Sequence, residues 1–233
     1  MPIRRMRPSG SVLATGLQAF VDTLPEGLLV AEVGSYTGES LMFWLQKASQ
    51  VICVDRWADY SENIGGTTGR MVIDRMDWVE HEFDRIASHY GDRVVKVIGD
   101  SLEVAARCPP ATFDLVYLDA GHTYDQVVAD ILAWAPTVKP GGLLAGHDYD
   151  TLRASVRQAV DDLFGGPEQL HPDSTWVVQM TVAMQARLKA QSQCLSDAEF
   201  VSSGAPHMDE TTPVMMRQLD GLGAPVKDMR QSP

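Results

Sequence analysis

Acids, glycines and histidines stand directly after short apolar runs all along this chain. Leu28-Leu29-Val30-Ala31 leads into Glu32-Val33-Gly34-Ser35-Tyr36-Thr37-Gly38-Glu39-Ser40, and Val51-Ile52-Cys53-Val54 leads into Asp55-Arg56. Val94-Val95-Lys96-Val97-Ile98 runs through Gly99 to Asp100-Ser101. Phe113 to Leu118 ends in Asp119-Ala120-Gly121-His122, and Gly142 to Gly146 ends in His147-Asp148. A buried strand, a glycine turn and a helix N-terminus in that order form a nucleotide-cofactor site. Gly34 lets the chain turn sharply off the strand, and Gly38 admits close approach of a ligand to the backbone. Asp55, at the tip of the next strand, is placed to accept hydrogen bonds from a ribose. His122 and His147 can take up a proton near neutral pH. Glu32 ends a buried strand, where an unpaired carboxylate is costly, so it needs turn amides or an opposite charge.

These residues depend on the elements that hold them. The apolar runs read as five strands, and the segments between them carry helical periodicity. Leu13, Leu17, Phe20 and Leu24 predict a helix before the first strand; Leu41, Leu45 and Ala48 predict one after the glycine turn. Residues 71–90 give the clearest amphipathic pattern, with Val72, Met76, Val79, Phe83 and Ile86 on one face. Val127, Ile131 and Ala135 mark a helix after the fourth strand, and Val156, Ala159, Val160 and Leu163 one after the fifth. Alternation at this spacing predicts an α/β fold, a doubly wound, mostly parallel Rossmann-like sheet with helices on both faces. Its carboxyl edge is where such sheets bind ligands. Residues 57–70 read as a long polar loop and 175–180 as a late strand, with 168–171 a poor candidate for its partner. The expected division is an arm and helix over 1–27, a cofactor-binding domain over 28–182, and an irregular extension over 183–233, with a short helix near 214–220.

Composition narrows the partners. A chain of 233 residues, 45% hydrophobic, is enough for one domain with a sizeable core. A net charge of -12 disfavours nucleic acid, whose phosphates need a basic face. No apolar run reaches the roughly 18 residues that span a bilayer, and Arg4, Arg5 and Arg7 are not followed by an apolar signal segment. Cys53, Cys108 and Cys194 make no metal or redox motif. They read as thiols in a reducing cytoplasm.

The chain resembles the class I S-adenosylmethionine-dependent methyltransferases over roughly residues 28–180. Glu32-x-Gly34-x-x-x-Gly38 matches their first motif, Asp55 their ribose acid, and Asp100-Ser101 the position beside the adenine. Phe113 to Asp119 and Val138-Lys139-Pro140-Gly141-Gly142 match their fourth strand and the turn into the fifth. The run Asp119-Ala120-Gly121-His122-Thr123-Tyr124 resembles a small-molecule branch with D-x-x-H-x-Y; Tyr36 departs from a position that is often glycine. The resemblance implies methyl transfer from S-adenosylmethionine to a hydroxyl of a small molecule. It implies cofactor contacts from Glu32, Gly34, Ser35, Tyr36, Gly38, Ser40, Asp55, Arg56, Asp100, Ser101 and Asp119. It also sets the fourth and fifth strands side by side, so that Asp119 and Asp148 face one site and Mg²⁺ is the ion such a pair would take. His122 and His147 could instead ligate a softer metal. His147 is the favoured base, with His122 and Asp119 as further catalytic groups. Alternatives left open are a nicotinamide-dependent oxidoreductase, a metal-dependent hydroxylase-like enzyme and a non-catalytic partner subunit. A homo-oligomer is compatible with all of these.

Overall fold

The computed structural model describes residues 12–63, 70–73, 75–150 and 154–202. The basic arm, Gly65, Gly66 and Gly69 of the long loop, and the short helix expected near 214–220 lie outside these residues.

The strands are β1 (Leu28–Val33), β2 (Ala48–Asp55), β5 (Val94–Ile98), β6 (Phe113–Leu118), β7 (Val138–Gly146), β8 (Gln169–Leu170) and β9 (Trp176–Gln179). They form one sheet in the order β5-β2-β1-β6-β7-β9-β8. The first five of these run parallel, whereas β9 pairs antiparallel with β7 and β8 antiparallel with β9. Parallel strands are covered on both faces, which is why β1 and β6 read as nearly continuous apolar runs rather than alternating ones.

Side chains alternate between the two faces and build two cores. One face carries Ala31, Val33, Ile52, Val54, Val116 and Leu118 against α4 (Ser101–Arg107), α5 (Tyr124–Trp134), α6 (Ala154–Phe164) and α7 (Val182–Ser202). The other carries Val30, Val51, Cys53, Leu115 and Tyr117 against α1 (Val12–Asp22), α2 (Leu41–Trp44) and α3 (Met76–Ala87). The doubly wound architecture expected from the alternation of runs is therefore present.

Five local expectations are corrected. The helix after the glycine turn is only α2, four residues long, and Ala48 already belongs to β2. The polar stretch after Asp55 holds an antiparallel hairpin, β3 (Tyr60–Asn63) with β4 (Arg70–Ile73). The amphipathic helix consequently starts at Met76, where Asp59 Oδ1 accepts the first free backbone N–H at 2.9 Å, and Val72 lies in β4. Gln169–Leu170 does pair with β9, through a segment too short and too exposed to show a period. The extension expected to be irregular begins with the 21-residue α7, anchored by Leu188 at 1% exposure.

β1 is flanked by β2 on one side and β6 on the other. The chain therefore leaves β1 toward one half of the sheet and returns later to the other. At such a switch point the loops part, and open α/β sheets bind their ligands there.

Candidate functional site

The glycine turn leaves β1 at the switch point. Gly34 has φ +92°, and a Cβ there would come within 2.1 Å of the Asp119 carbonyl oxygen. Glycine at 34 thus lets the first turn and the end of β6 touch. Tyr36 has φ +48° and Gly38 φ +78°, so the turn is left-handed at three alternate positions. A left-handed non-glycine residue costs of order 1–2 kcal/mol. The constraint explains why glycine would suit position 36, and what holds Tyr36 there. Its N–H donates to Asp55 Oδ2 at 2.9 Å, and its carbonyl accepts from Trp57 Nε1 at 2.9 Å. Asp55 Oδ1 accepts the Trp57 N–H at 2.9 Å, so this carboxylate ties the tips of β1 and β2 together. Trp57 itself is buried against Phe83 under Lys96, as a core anchor of the loop.

Glu32 is 2% exposed. Trp44 Nε1 donates to its Oε1 at 2.8 Å, while Oε2 is buried with no hydrogen-bond partner. Burial pushes its pKa up to about 7, against the pull of the Ser40, Trp44 and Ser35 side chains, and the Asp119 charge adds to the rise. A buried acid whose pKa is raised by burial, with one oxygen that has no hydrogen-bond partner, fits a cationic ligand group.

Beyond β5, Asp100 caps α4 by accepting the Leu102 N–H at 3.0 Å. Ser101 turns inward: its hydroxyl donates to Asp130 Oδ1 and accepts from Trp134 Nε1. Asp130 is 7% exposed, and burial raises its pKa to about 6. Arg56 is exposed at the tip of β2.

The ends of β6 and β7, adjacent and parallel, bring Asp119, His122, His147 and Asp148 together. His122 Nε2 lies 3.1 Å from Asp148 Oδ2 and 3.7 Å from Asp119 Oδ1. His147 Nδ1 lies 3.0 Å from Asp148 Oδ1. One ligand atom each of Asp119, His122 and Asp148 falls within 4.8 Å of the others. Asp148 sits at φ +66°, which turns its side chain back over the edge, and Tyr149 N–H to Ser174 O at 3.1 Å helps to hold that bend. Burial works to raise the Asp148 pKa, but the hydrogen bonds from His122 and His147 outweigh it and hold the carboxyl well below its usual range. Burial likewise works to lower His147, and the Asp148 bond with the charges of Asp119, Asp148 and Asp173 outweighs it, so its pKa is raised.

Several partners were not evident from the sequence. Trp44 carries no motif, and the chain from Tyr117 through Thr175 to Asp173 joins residues far apart in sequence. Asp130 did leave a signal. It occupies the apolar stripe of α5 with Val127, Ile131 and Trp134, and an acid in that register must be buried.

Residues 31–149, just over half of the chain, match the family model described as a methyltransferase domain. No curated protein matches the sequence. Among solved structures, the O-methyltransferase NovP is 19% identical, with 72% of this chain and 78% of that one covered at a TM-score of 0.52. A Corynebacterium glutamicum protein is 16% identical, with 72% and 81% covered at a TM-score of 0.49. Phosphoethanolamine N-methyltransferase 1 of Haemonchus contortus is 14% identical over 61% of this chain, at a TM-score of 0.46. The match spans only 27% of that longer protein. The NovP likeness is one of fold, and it agrees with the sheet described above. With the matched segment running from β1 to the end of the Asp119–Asp148 cluster, the chain belongs to the methyltransferase-domain family.

Proposed function

We propose that this protein transfers a methyl group from S-adenosylmethionine to a hydroxyl of a small molecule, assisted by a divalent metal ion. The observation that carries the reading is the Asp119–His122–Asp148 cluster standing beside the glycine turn at the switch point. S-adenosylmethionine brings a sulfonium methyl that is already activated, so the protein must mainly align the reactants and exclude water. The residues fit such a donor. The open oxygen of Glu32 suits the ammonium of its methionine end, and the turn from Ser35 through Tyr36 and Gly38 to Ser40 offers backbone close by. Asp55 uses one contact per oxygen on backbone N–H groups, which leaves lone pairs for ribose hydroxyls. Arg56, Asp100 and Ser101 would face the donor's adenine.

Asp119, His122 and Asp148 suit a divalent cation, the carboxylates favouring Mg²⁺ and the imidazole shifting preference toward Mn²⁺, Fe²⁺ or Zn²⁺. Such an ion would lower the pKa of a bound acceptor hydroxyl. Transfer would form the bond from the acceptor oxygen to the methyl carbon as the carbon–sulfur bond broke, with the electron pair left on sulfur, and the hydroxyl proton would leave at the open edge near Asp119. His147 is 9% exposed and committed through Nδ1 to Asp148. We therefore assign it to holding Asp148 rather than to proton abstraction, which leaves His122 and Asp119 nearest the acceptor. A net charge of -12 suits a small acceptor better than nucleic acid.

Titration calorimetry with S-adenosylhomocysteine tests the reading, on metal-stripped protein and again with Mg²⁺ or Mn²⁺, with NAD as control. Binding of the homocysteine compound without NAD binding is expected, together with a separate heat from the metal. Folded protein that binds neither ligand class would overturn it.

A further inference from the structure

Tyr124 closes the run Asp119-x-x-His122-x-Tyr124, and its hydroxyl donates to α6, where Asp162 Oδ2 accepts it at 3.0 Å. Tyr149, next to Asp148, does the same, and Asp161 Oδ1 accepts its hydroxyl at 2.6 Å. Both rings pack against the helix-side core. One tyrosine from each loop of the Asp119–His122–Asp148 cluster thus reaches one of two consecutive acids on a single helix.

The period of α6 explains the pairing. At 3.6 residues per turn, Val156, Ala159, Val160 and Leu163 form its buried stripe. Ser155 and Asp162, seven residues apart, share one flank of that stripe, and Arg157 and Asp161, four apart, share the other. The first flank bonds to the loop after β6: Ser155 Oγ donates to the His122 carbonyl at 2.5 Å, and Asp162 holds Tyr124. The second bonds to the loop after β7: Arg157 pairs with Asp150 and lies over the Tyr149 ring, 5.1 Å from its centroid, and Asp161 holds Tyr149. Among the described residues, backbone bonding between β6 and β7 ends where the His147 N–H donates to the Leu118 carbonyl at 3.1 Å. Both loops lie beyond that point.

We propose that α6 is a two-flanked brace that sets Asp119 and His122 against Asp148, with Asp161 and Asp162 as positioning residues acting through Tyr149 and Tyr124. Without it, the 3.1 Å separation of His122 Nε2 and Asp148 Oδ2 would depend on two separate loops from neighbouring strands. A ligand set already held in place loses less freedom when an ion arrives, so such supports raise metal affinity. The benefit to an ion rests on the metal-assisted reading, whereas the brace stands without a metal.

Hydrogen exchange on the apo protein tests the brace. In the Asp161→Ala, Asp162→Ala double variant, its fold checked by circular dichroism, amides of 119–124 and 147–150 should exchange at least about 10-fold faster, and those of 34–38 as in the wild type. The Tyr124→Phe, Tyr149→Phe double variant keeps both rings and should show the same pattern, so the test survives if the first variant does not fold. Unchanged exchange in either loop of a folded variant overturns the proposal. Calorimetry with Mn²⁺ reads the effect on the ligand set: affinity should fall about 10-fold or more in either double variant, with S-adenosylhomocysteine affinity within a few fold. Val160→Ala loosens the packing of α6 but keeps both polar flanks, and should leave Mn²⁺ affinity within a few fold. An equal loss in Val160→Ala would reduce the two acids to packing support and overturn their positioning role. Wild-type protein that binds no Mn²⁺ would strike the metal-assisted reading, while the exchange rates would still decide the brace.

Discussion

Glu32 is placed against stability, and on the proposed function it is placed for binding. Its folded-state pKa, about 7, lies above the ordinary 4.5. The stability it permits is therefore fully present below the unfolded value and is lost as pH rises toward and past the folded one. The shift corresponds to roughly 3 kcal/mol at most, at one pKa unit per 1.4 kcal/mol. Glu32→Gln should accordingly be more stable than the wild type near pH 8, by up to roughly 3 kcal/mol in denaturant unfolding, and the gap should close near pH 4. The same substitution should weaken S-adenosylhomocysteine binding and abolish the wild-type strengthening of that binding as pH rises through about 7. A variant with unchanged affinity at every pH would remove Glu32 from the site. Asp148 carries the complementary test. Asp148→Ala should leave S-adenosylhomocysteine affinity within a few fold, because the glycine turn is intact, and weaken Mn²⁺ binding by more than about 10-fold. Equal metal binding by variant and wild type would detach the ion from this cluster.

Among the elements, those that place the site were the most legible ones. Each buried parallel strand announces itself as an apolar run, and each run is stopped by the polar residue it presents at the edge, as Val54 gives way to Asp55 and Leu118 to Asp119. What stayed hidden was set by tertiary contact. The β3–β4 hairpin has too little apolar alternation to declare itself, and β8 exists because β9 offers it a partner. Trp44 reaches Glu32 only once α2 has folded back over β1. The glycine turn lies between these cases: Gly34 was readable as a turn residue, but its contact with Asp119 was not. Gly34→Ala tests that contact. A left-handed φ with a carbonyl 2.1 Å from the new Cβ leaves no room for relaxation of a side chain alone. The loss expected is at least about 2–3 kcal/mol, read in thermal unfolding, with S-adenosylhomocysteine binding lost as the turn and β6 separate. Ala tolerated at 34 with full binding would mean that the switch-point contact is not required.

Across the whole molecule, the two edges of the sheet carry separate tasks. The groups proposed to face ligand gather at the carboxyl ends of β1, β2, β5, β6 and β7, while α7 fastens the opposite end. Gln185 Nε2 donates to the carbonyls of Ala135 and Val138, Arg187 donates to that of Leu163, and Leu188 is buried at 1% exposure. Among the described residues no helix is long and apolar enough to cross a membrane. This packing and the two cores hold the fold together. Damage at one edge should then add to, rather than interact with, ligand binding at the other. Leu188→Ala removes a buried side chain far from the glycine turn and should cost about 2–5 kcal/mol. S-adenosylhomocysteine at about 100 times its Kd should return about 2.7 kcal/mol by binding only the folded state. For a chain of this size each kcal/mol moves Tm by about 2–4 °C, so the ligand should raise Tm by roughly 5–10 °C. That increment should be the same in wild type and in Leu188→Ala, although the variant starts lower, and NAD should give none. A ligand increment that shrinks markedly in the variant would show that α7 and the carboxyl edge are coupled, and that the division of labour between the two edges is wrong.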